Sequence, residues 1–286
     1  MTFRGALAYA ERHELAALVV ADGDAVRFER YGDGFGPETP HALYSGTKSF
    51  WGLAAAAAAE DGLLALDERV SATIGEWRAD AVKATMTVRE LLNLTSGFGF
   101  GGLGAAVPVA AKALATPLKN DPGTVFTYGG IPLQVFGELL RRKLGGGADE
   151  PHAFLGRRIL ERAGVAVASW RTLRDGTHPL PTGAVVSAQA WVRYGRLLLG
   201  RGIFNGERIV GERFFAECIR GSSINPRYGL GFWLDPLASE AGVFYASGAG
   251  GQALYVLPAH ALIVVHFGRS NSWRHETFLR ELLRGL

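Results

Sequence analysis

The sequence predicts an α+β fold in which a mostly antiparallel sheet is assembled from both ends of the chain and flanked by helices. Two β-rich runs near the start, three or four near the end and helical periodicity everywhere between carry that expectation. With 286 residues, 48% of them hydrophobic, the chain can bury a large core.

After a short amphipathic helix at residues 3–12, the segment LAALVVADGDAVRFERYG reads as two strands joined by a tight turn at Asp22-Gly23. Helical periodicity follows at residues 47–60, 87–92, 131–144, 152–162, 187–199 and 210–218, interrupted by glycine- and proline-containing loops. The tail changes period: YGLGFWLD, GVFYASG, ALYVLP and ALIVVHFG are short strands, and a helix at 272–283 closes the chain. This order predicts a sheet lobe from residues 1–44 and 222–286 and a mainly helical lobe from 45–221, interleaved as one unit. The run Ala54 to Ala59, flanked by Trp51, Leu53 and Leu63, reads as a closely packed helix, and no internal repeat is visible.

Composition excludes several classes. Thirty basic against 27 acidic residues leave a net charge of +3, and the arginines are scattered, which is not the footprint of a nucleic-acid binder. The single cysteine, Cys218, can form neither an intramolecular disulfide nor a thiolate cluster, and it has the context of a buried structural thiol. No apolar run approaches the roughly 20 residues a membrane span needs. Arg4, Glu11, Arg12, His13 and Glu14 are unlike a secretory leader, so the chain as given reads as cytoplasmic, although a chain trimmed of its signal would read the same. No HExxH or carboxylate cluster has metal-ligand spacing, and neither a metal nor a cofactor is expected.

The chemistry begins at Ser45-Gly46-Thr47-Lys48. On a helix starting near Ser45, residues i and i+3 share one face, so the Lys48 ammonium reaches the Ser45 hydroxyl. A lysine takes a serine proton only if burial or a neighbouring positive charge favours its neutral form, and the helix N-terminus pushes that way. By itself the motif is weak, because a serine ahead of a helix also serves as an N-cap and a lysine one turn later as a surface residue. Two later elements add weight: PGTVFTYGG, which places Tyr128 just ahead of a helix, and SGAGGQALYVLP, a glycine-rich opening to a strand.

With SGTK at 45–48, TVRELLNLTSGF at 87–98, PGTVFTYGG at 122–130 and SGAGGQALYVLP at 247–258, nearly the whole chain resembles the serine β-lactamase and penicillin-binding-protein superfamily. Its likeness is to the class C β-lactamase-like serine hydrolases, the esterases and the 6-aminohexanoate-oligomer hydrolases. The resemblance implies a β-lactamase/transpeptidase-like fold with Ser45 as nucleophile. It also implies that Lys48 shares the serine's proton and that the Tyr128 phenol serves as base and as shuttle to the leaving group. An oxyanion hole would come from the Ser45 amide and an amide near Ala249 or Gly250, with Ser247 and Gly248 beside the substrate. The small-molecule substrate would be an ester, an amide or a peptide-like compound, and nothing in the sequence sets the oligomeric state.

Two departures point away from β-lactams. Where β-lactamases carry Tyr-x-Asn the chain has Tyr128-Gly129-Gly130, and where they carry a lysine or histidine ahead of a small residue and glycine it has Ala246. The amide that would contact an acylamino group and the cation that would hold a carboxylate are both missing. Besides hydrolysis of small esters or amides, two readings stay open: a non-catalytic relative that binds a peptide or acyl ligand, and an acyltransferase using the same intermediate.

Other signals weigh less. Residues 97–102 satisfy GxGxxG but follow a helix-like segment, and read as a flexible loop bordering the site. Gly46 to Ser49 lacks the glycine-lysine adjacency of a phosphate loop, and no GxSxG elbow occurs. His41, His152, His178 and His266 sit in unrelated contexts, and Ser96 has no lysine one turn later. Phe98, Phe100, Phe232, Trp233 and Tyr245 are candidates to line an apolar acyl pocket, most of them expected in the core.

Overall fold

The computed structural model describes residues 2–238 and 242–286. Helix α1 (Arg4–Glu11) leads into strands β1 (Ala17–Ala21) and β2 (Val26–Tyr31), and a two-residue strand β3 (His41–Ala42) precedes helix α2 (Lys48–Glu60). The middle contains α3 (Val88–Leu92), α4 (Ala110–Ala115), α5 (Ile131–Lys143), α6 (Glu150–Leu155), β4 (Val167–Trp170), β5 (Ala184–Val186) and α7 (Ala188–Leu199). A hairpin of β6 (Ile203–Phe204) and β7 (Glu207–Arg208) and helix α8 (Glu212–Cys218) follow. The tail supplies β8 (Trp233–Leu234), β9 (Phe244–Gly248), β10 (Gln252–Leu257), β11 (Leu262–Phe267) and α9 (His275–Leu283).

The main sheet has the order β2-β1-β11-β10-β9-β8, with every neighbouring pair antiparallel. The first and last strands of the sequence meet at β1 and β11, where Val19 faces Val265. Strict alternation divides the side chains between two cores. Ala17, Val19, Val265, Leu254 and Ala246 face α2, α5, α7 and α8, while Leu18, Val20, Val264, Tyr255 and Tyr245 face α1 and α9. Strands β1, β10 and β11 are buried throughout, because helices cover both faces.

The element ends follow capping chemistry. Thr87 accepts from the Glu90 amide and Glu90 accepts from the Thr87 amide, the reciprocal box that starts α3. Ser187 caps α7 by accepting from the Ala190 amide.

Several expectations are corrected. The turn between β1 and β2 is a four-residue loop, because Ala21 pairs with Val26 and the Asp22 carboxylate accepts from the amides of Asp24 and Ala25. The expected helix at 152–162 is α6 followed by a π-helical turn, Gly156–Leu160. The closing helix starts three residues later than expected, at His275. Within the middle, β3, β5 and β4 form a small antiparallel sheet, and Asn205-Gly206 is the two-residue turn of the β6–β7 hairpin. Among the described residues no helix is long and apolar enough to cross a membrane.

Candidate active site

Ser45 lies in a 3-10 helix, Tyr44–Thr47, that runs directly into α2, so the helical start near Ser45 is 3-10 rather than α, and no side chain caps either element. Tyr44 adopts a left-handed conformation at φ 47°, a strained geometry for a non-glycine residue and the kind that persists only where the surroundings enforce it. The enforcement is visible on both sides: Leu43 donates its amide to Ala184 O at 2.9 Å, and the Ala184 amide donates to Thr47 Oγ1 at 3.3 Å. Helix α2 is pressed into the molecule, since a Cβ on Gly52 would lie 1.7 Å from the Leu230 carbonyl oxygen. Alanines 54–58 of the same helix are fully buried. Cys218 belongs to this packing, its thiol donating to Gly52 O and pushed up in pKa by burial.

Lys48 is 1% exposed. Its Nζ lies 2.9 Å from Ser45 Oγ, donates to Pro181 O at 3.1 Å and sits 4.9 Å from the centre of the Tyr128 ring. No carboxylate is among these partners, so no counter-charge offsets the loss of water, and burial brings the amine from 10.5 down to about 7. The carbonyl it contacts is itself held. Gln134, buried on α5, accepts from the Leu180 amide and donates to Pro108 O.

Tyr128 arrives on a segment stapled to residues 94–102. The Thr127 amide donates to Leu94 O, the Gly130 amide donates to Gly101 O, and Gly101 and Gly129 pair as a bridge. Residues 97–102 are therefore a hydrogen-bonded support rather than the free loop the sequence suggested, because their carbonyls serve the strand-like segments at 118 and 129. The phenol stacks on Trp233 at 5.5 Å. Burial raises its pKa, and a hydrogen bond with Ser45 draws it partly back. The absence of asparagine from Tyr-x-Asn has a steric cause: a Cβ on Gly130 would stand 1.9 Å from the Gly102 carbonyl oxygen.

The third wall is the end of β9. A Cβ on Gly248 would lie 2.1 Å from Leu43 O, so only glycine lets this strand close on the turn that carries Ser45. Ser247, Gly248 and Ala249 line a cavity of about 560 Å³ together with Tyr44, Ser45, Leu103, Gly104, Tyr128, Thr182, Trp233, Tyr245 and His275. Gly250 is not part of this wall; it occupies the turn behind, at φ 77° beside Gln252. Of the candidate pocket aromatics, Trp233 and Tyr245 line the cavity, Phe98 and Phe232 are in the core, and Phe100 is exposed. Among the described residues no Asp, Glu, Lys or Arg lines the cavity. Ala246 points the other way, into the buried core, where a lysine would have to bury a second ammonium.

Sequence reasoning missed His275. The first residue of a closing amphipathic helix carries no motif, and its place at the cavity follows only from the packing of α9 on the sheet. His41, His152, His178 and His266 are not among the lining residues. No group of three or more His, Cys, Asp or Glu suited to a metal ion occurs among the described residues.

Comparison with known proteins agrees with this architecture. The Beta-lactamase family model matches residues 2–284. Among solved structures, a Bacillus anthracis protein assigned as a 6-aminohexanoate-dimer hydrolase superposes with a TM-score of 0.79 at 20% identity, covering 96% of this chain and 79% of its own. EstCE1, a hydrolase with promiscuous acyltransferase activity, gives 0.77 at 18% identity over 99% of this chain and 97% of its own. A D-stereospecific amidohydrolase from Streptomyces sp. gives 0.74 at 16% identity over the whole of both chains. No curated protein matches the sequence. These identities speak for the fold alone, and it is the family match over nearly the full length that assigns the chain to the beta-lactamase family.

Proposed function

We propose that the protein is a serine hydrolase that cleaves small, uncharged esters or amides through an acyl-enzyme on Ser45, with little or no turnover of β-lactams. The observation that carries this reading is the buried Lys48 amine, 2.9 Å from Ser45 Oγ with no carboxylate among the described residues paired to its charge. A lysine whose pKa is about 7 is largely neutral in mildly alkaline solution. It can then accept the serine proton as the hydroxyl attacks a carbonyl carbon.

The two pKa directions divide the proton work. Tyr128 is raised and keeps its proton near neutrality, whereas Lys48 is lowered into the range where a base functions. Lys48 is therefore the base for acylation. Tyr128, hydrogen-bonded to Ser45, relays that proton to the departing alkoxide or amine, and the reverse path activates the water that releases the acyl group. The amides of Ser45 and Ala249 would serve the oxyanion, a reading supported by the place of both residues on the cavity wall. Among the described residues no charged side chain lines the wall, which favours neutral substrates, and Trp233 and Tyr245 favour an apolar acyl group.

A substrate panel tests this. Turnover of p-nitrophenyl acetate or butyrate with weak cephalosporin hydrolysis is expected; strong cephalosporin turnover without esterase activity would refute it. Acyl transfer is a second outcome of the same intermediate, favoured by the largely apolar cavity wall, and added alcohol or amine in the assay reveals it as a new product.

A further inference from the structure

Ser247 is not an isolated hydroxyl. Its Oγ lies 2.9 Å from His275 Nε2, His275 Nδ1 lies 2.7 Å from the Tyr255 hydroxyl, and the Trp273 indole donates to that hydroxyl at 3.0 Å. The outline is that of a serine, histidine and orienting partner, so the first question is whether Ser247 is a second nucleophile.

Donor and acceptor counting answers it. An indole N–H only donates, so the Tyr255 oxygen accepts from Trp273. Tyr255 is fully buried, and among the described residues His275 Nδ1 is the acceptor available for its proton. Nδ1 is then the bare nitrogen of a neutral ring, and Nε2 carries the hydrogen. Burial holds the His275 pKa down at about 4, so the ring is neutral at neutral pH. A histidine that donates to Ser247 cannot take its proton. The Ser247 oxygen is the acceptor in that bond, which leaves its own hydrogen to be donated elsewhere, and Ser247 lines the cavity.

We propose that His275 is a positioning residue that fixes the Ser247 hydroxyl as a hydrogen-bond donor facing the cavity. The site would thereby select uncharged substrates bearing a second acceptor oxygen near the scissile carbonyl. This rests on the reading of Ser45 as the nucleophile. Because no cation lines the wall among the described residues, the donor suits a neutral carbonyl better than a carboxylate. Tyr245, which stacks on Tyr255 and tilts against His275, packs beside this chain of hydrogen bonds.

Two matched substrate pairs test it. Propyl butyrate is compared with the butyrate ester of glycolamide, and phenyl butyrate with phenyl N-acetylglycinate, so that the extra carbonyl lies on the leaving or the acyl side. For at least one pair, the preference in kcat/KM for the acceptor-bearing ester should fall about threefold to tenfold in Ser247→Ala and His275→Leu, mainly through KM. His275→Gln, which keeps an N–H in reach of Ser247, should recover part of it. An unchanged preference in His275→Leu, with Ser45 still reacting with a fluorophosphonate, overturns the proposal, as does fluorophosphonate labelling of Ser247. If the wild type neither turns over nor labels at Ser45, the nucleophile reading fails instead. The orientation is still tested by 15N NMR of histidine-labelled protein, where an Nε2-protonated His275 supports it and an Nδ1-protonated ring contradicts it.

Discussion

Under the proposed mechanism Lys48 is the decisive side chain, because its environment supplies burial and a carbonyl but, among the described residues, no counter-charge. Its neutral form should be required for acylation. The rate kcat/KM should therefore fall about tenfold per pH unit below an apparent pKa near 7 and level off above it, as a stopped-flow pH profile would read. Folding stability carries the same signature. Between about 7 and 10.5 the unfolded chain binds a proton at this lysine that the folded one does not, so this group's contribution rises with pH across that window. Lys48→Met should flatten that rise in urea titrations at pH 7 and pH 10. Replacing Ser45 by alanine should lower turnover by several orders of magnitude with circular dichroism unchanged, and Lys48→Ala should fall toward the same floor.

The glycine contacts fix how the elements around the cavity approach one another. Residues 97–102 supply the carbonyl that excludes any side chain at position 130, and Leu43 excludes one at 248. Gly130→Asn, the substitution that would restore a Tyr-x-Asn motif, should therefore lower stability by about 3 kcal/mol or more in thermal or urea unfolding, without creating cephalosporin turnover. A stable Gly130→Asn protein that hydrolyses cephalosporins would show that the missing amide alone set the preference. These contacts also explain what was legible. SGTK, Tyr128 and the 247–249 strand end were readable because their spacing is local or matches a family pattern. The left-handed Tyr44 was not, because it is imposed by pairing of Leu43 with Ala184 far along the chain. Likewise His275 joins the cavity only through the packing of α9, and the small β3-β5-β4 sheet consists of strands too short to show a period.

Over the whole molecule, the terminal strands carry the strongest sequence signal and make the strongest structure. β1 pairs with β11 along five residues, and the Thr2 amide donates to Gly285 O, so the two ends of the chain close one sheet. Deleting residues 2–31 would strip β1 and β2 and expose the edge of β11, where five successive residues lose their partners. Such a truncated protein should be insoluble or molten by near-ultraviolet circular dichroism. A soluble, cooperatively unfolding fragment would show that the remaining chain holds the sheet by itself. Because the cavity wall draws on the turn after β3, the segment before α5, the end of β9 and the start of α9, a loose sheet would also disperse the site.

The central claim is that the cavity holds one activated serine. Peptide-mapped mass spectrometry after incubation with a fluorophosphonate tests it most directly. A single adduct on Ser45 is expected, absent in Ser45→Ala and formed at least a hundredfold more slowly in Lys48→Ala, on the order of what general-base assistance contributes. No adduct on the folded wild type, or an adduct on a different residue, would contradict the account.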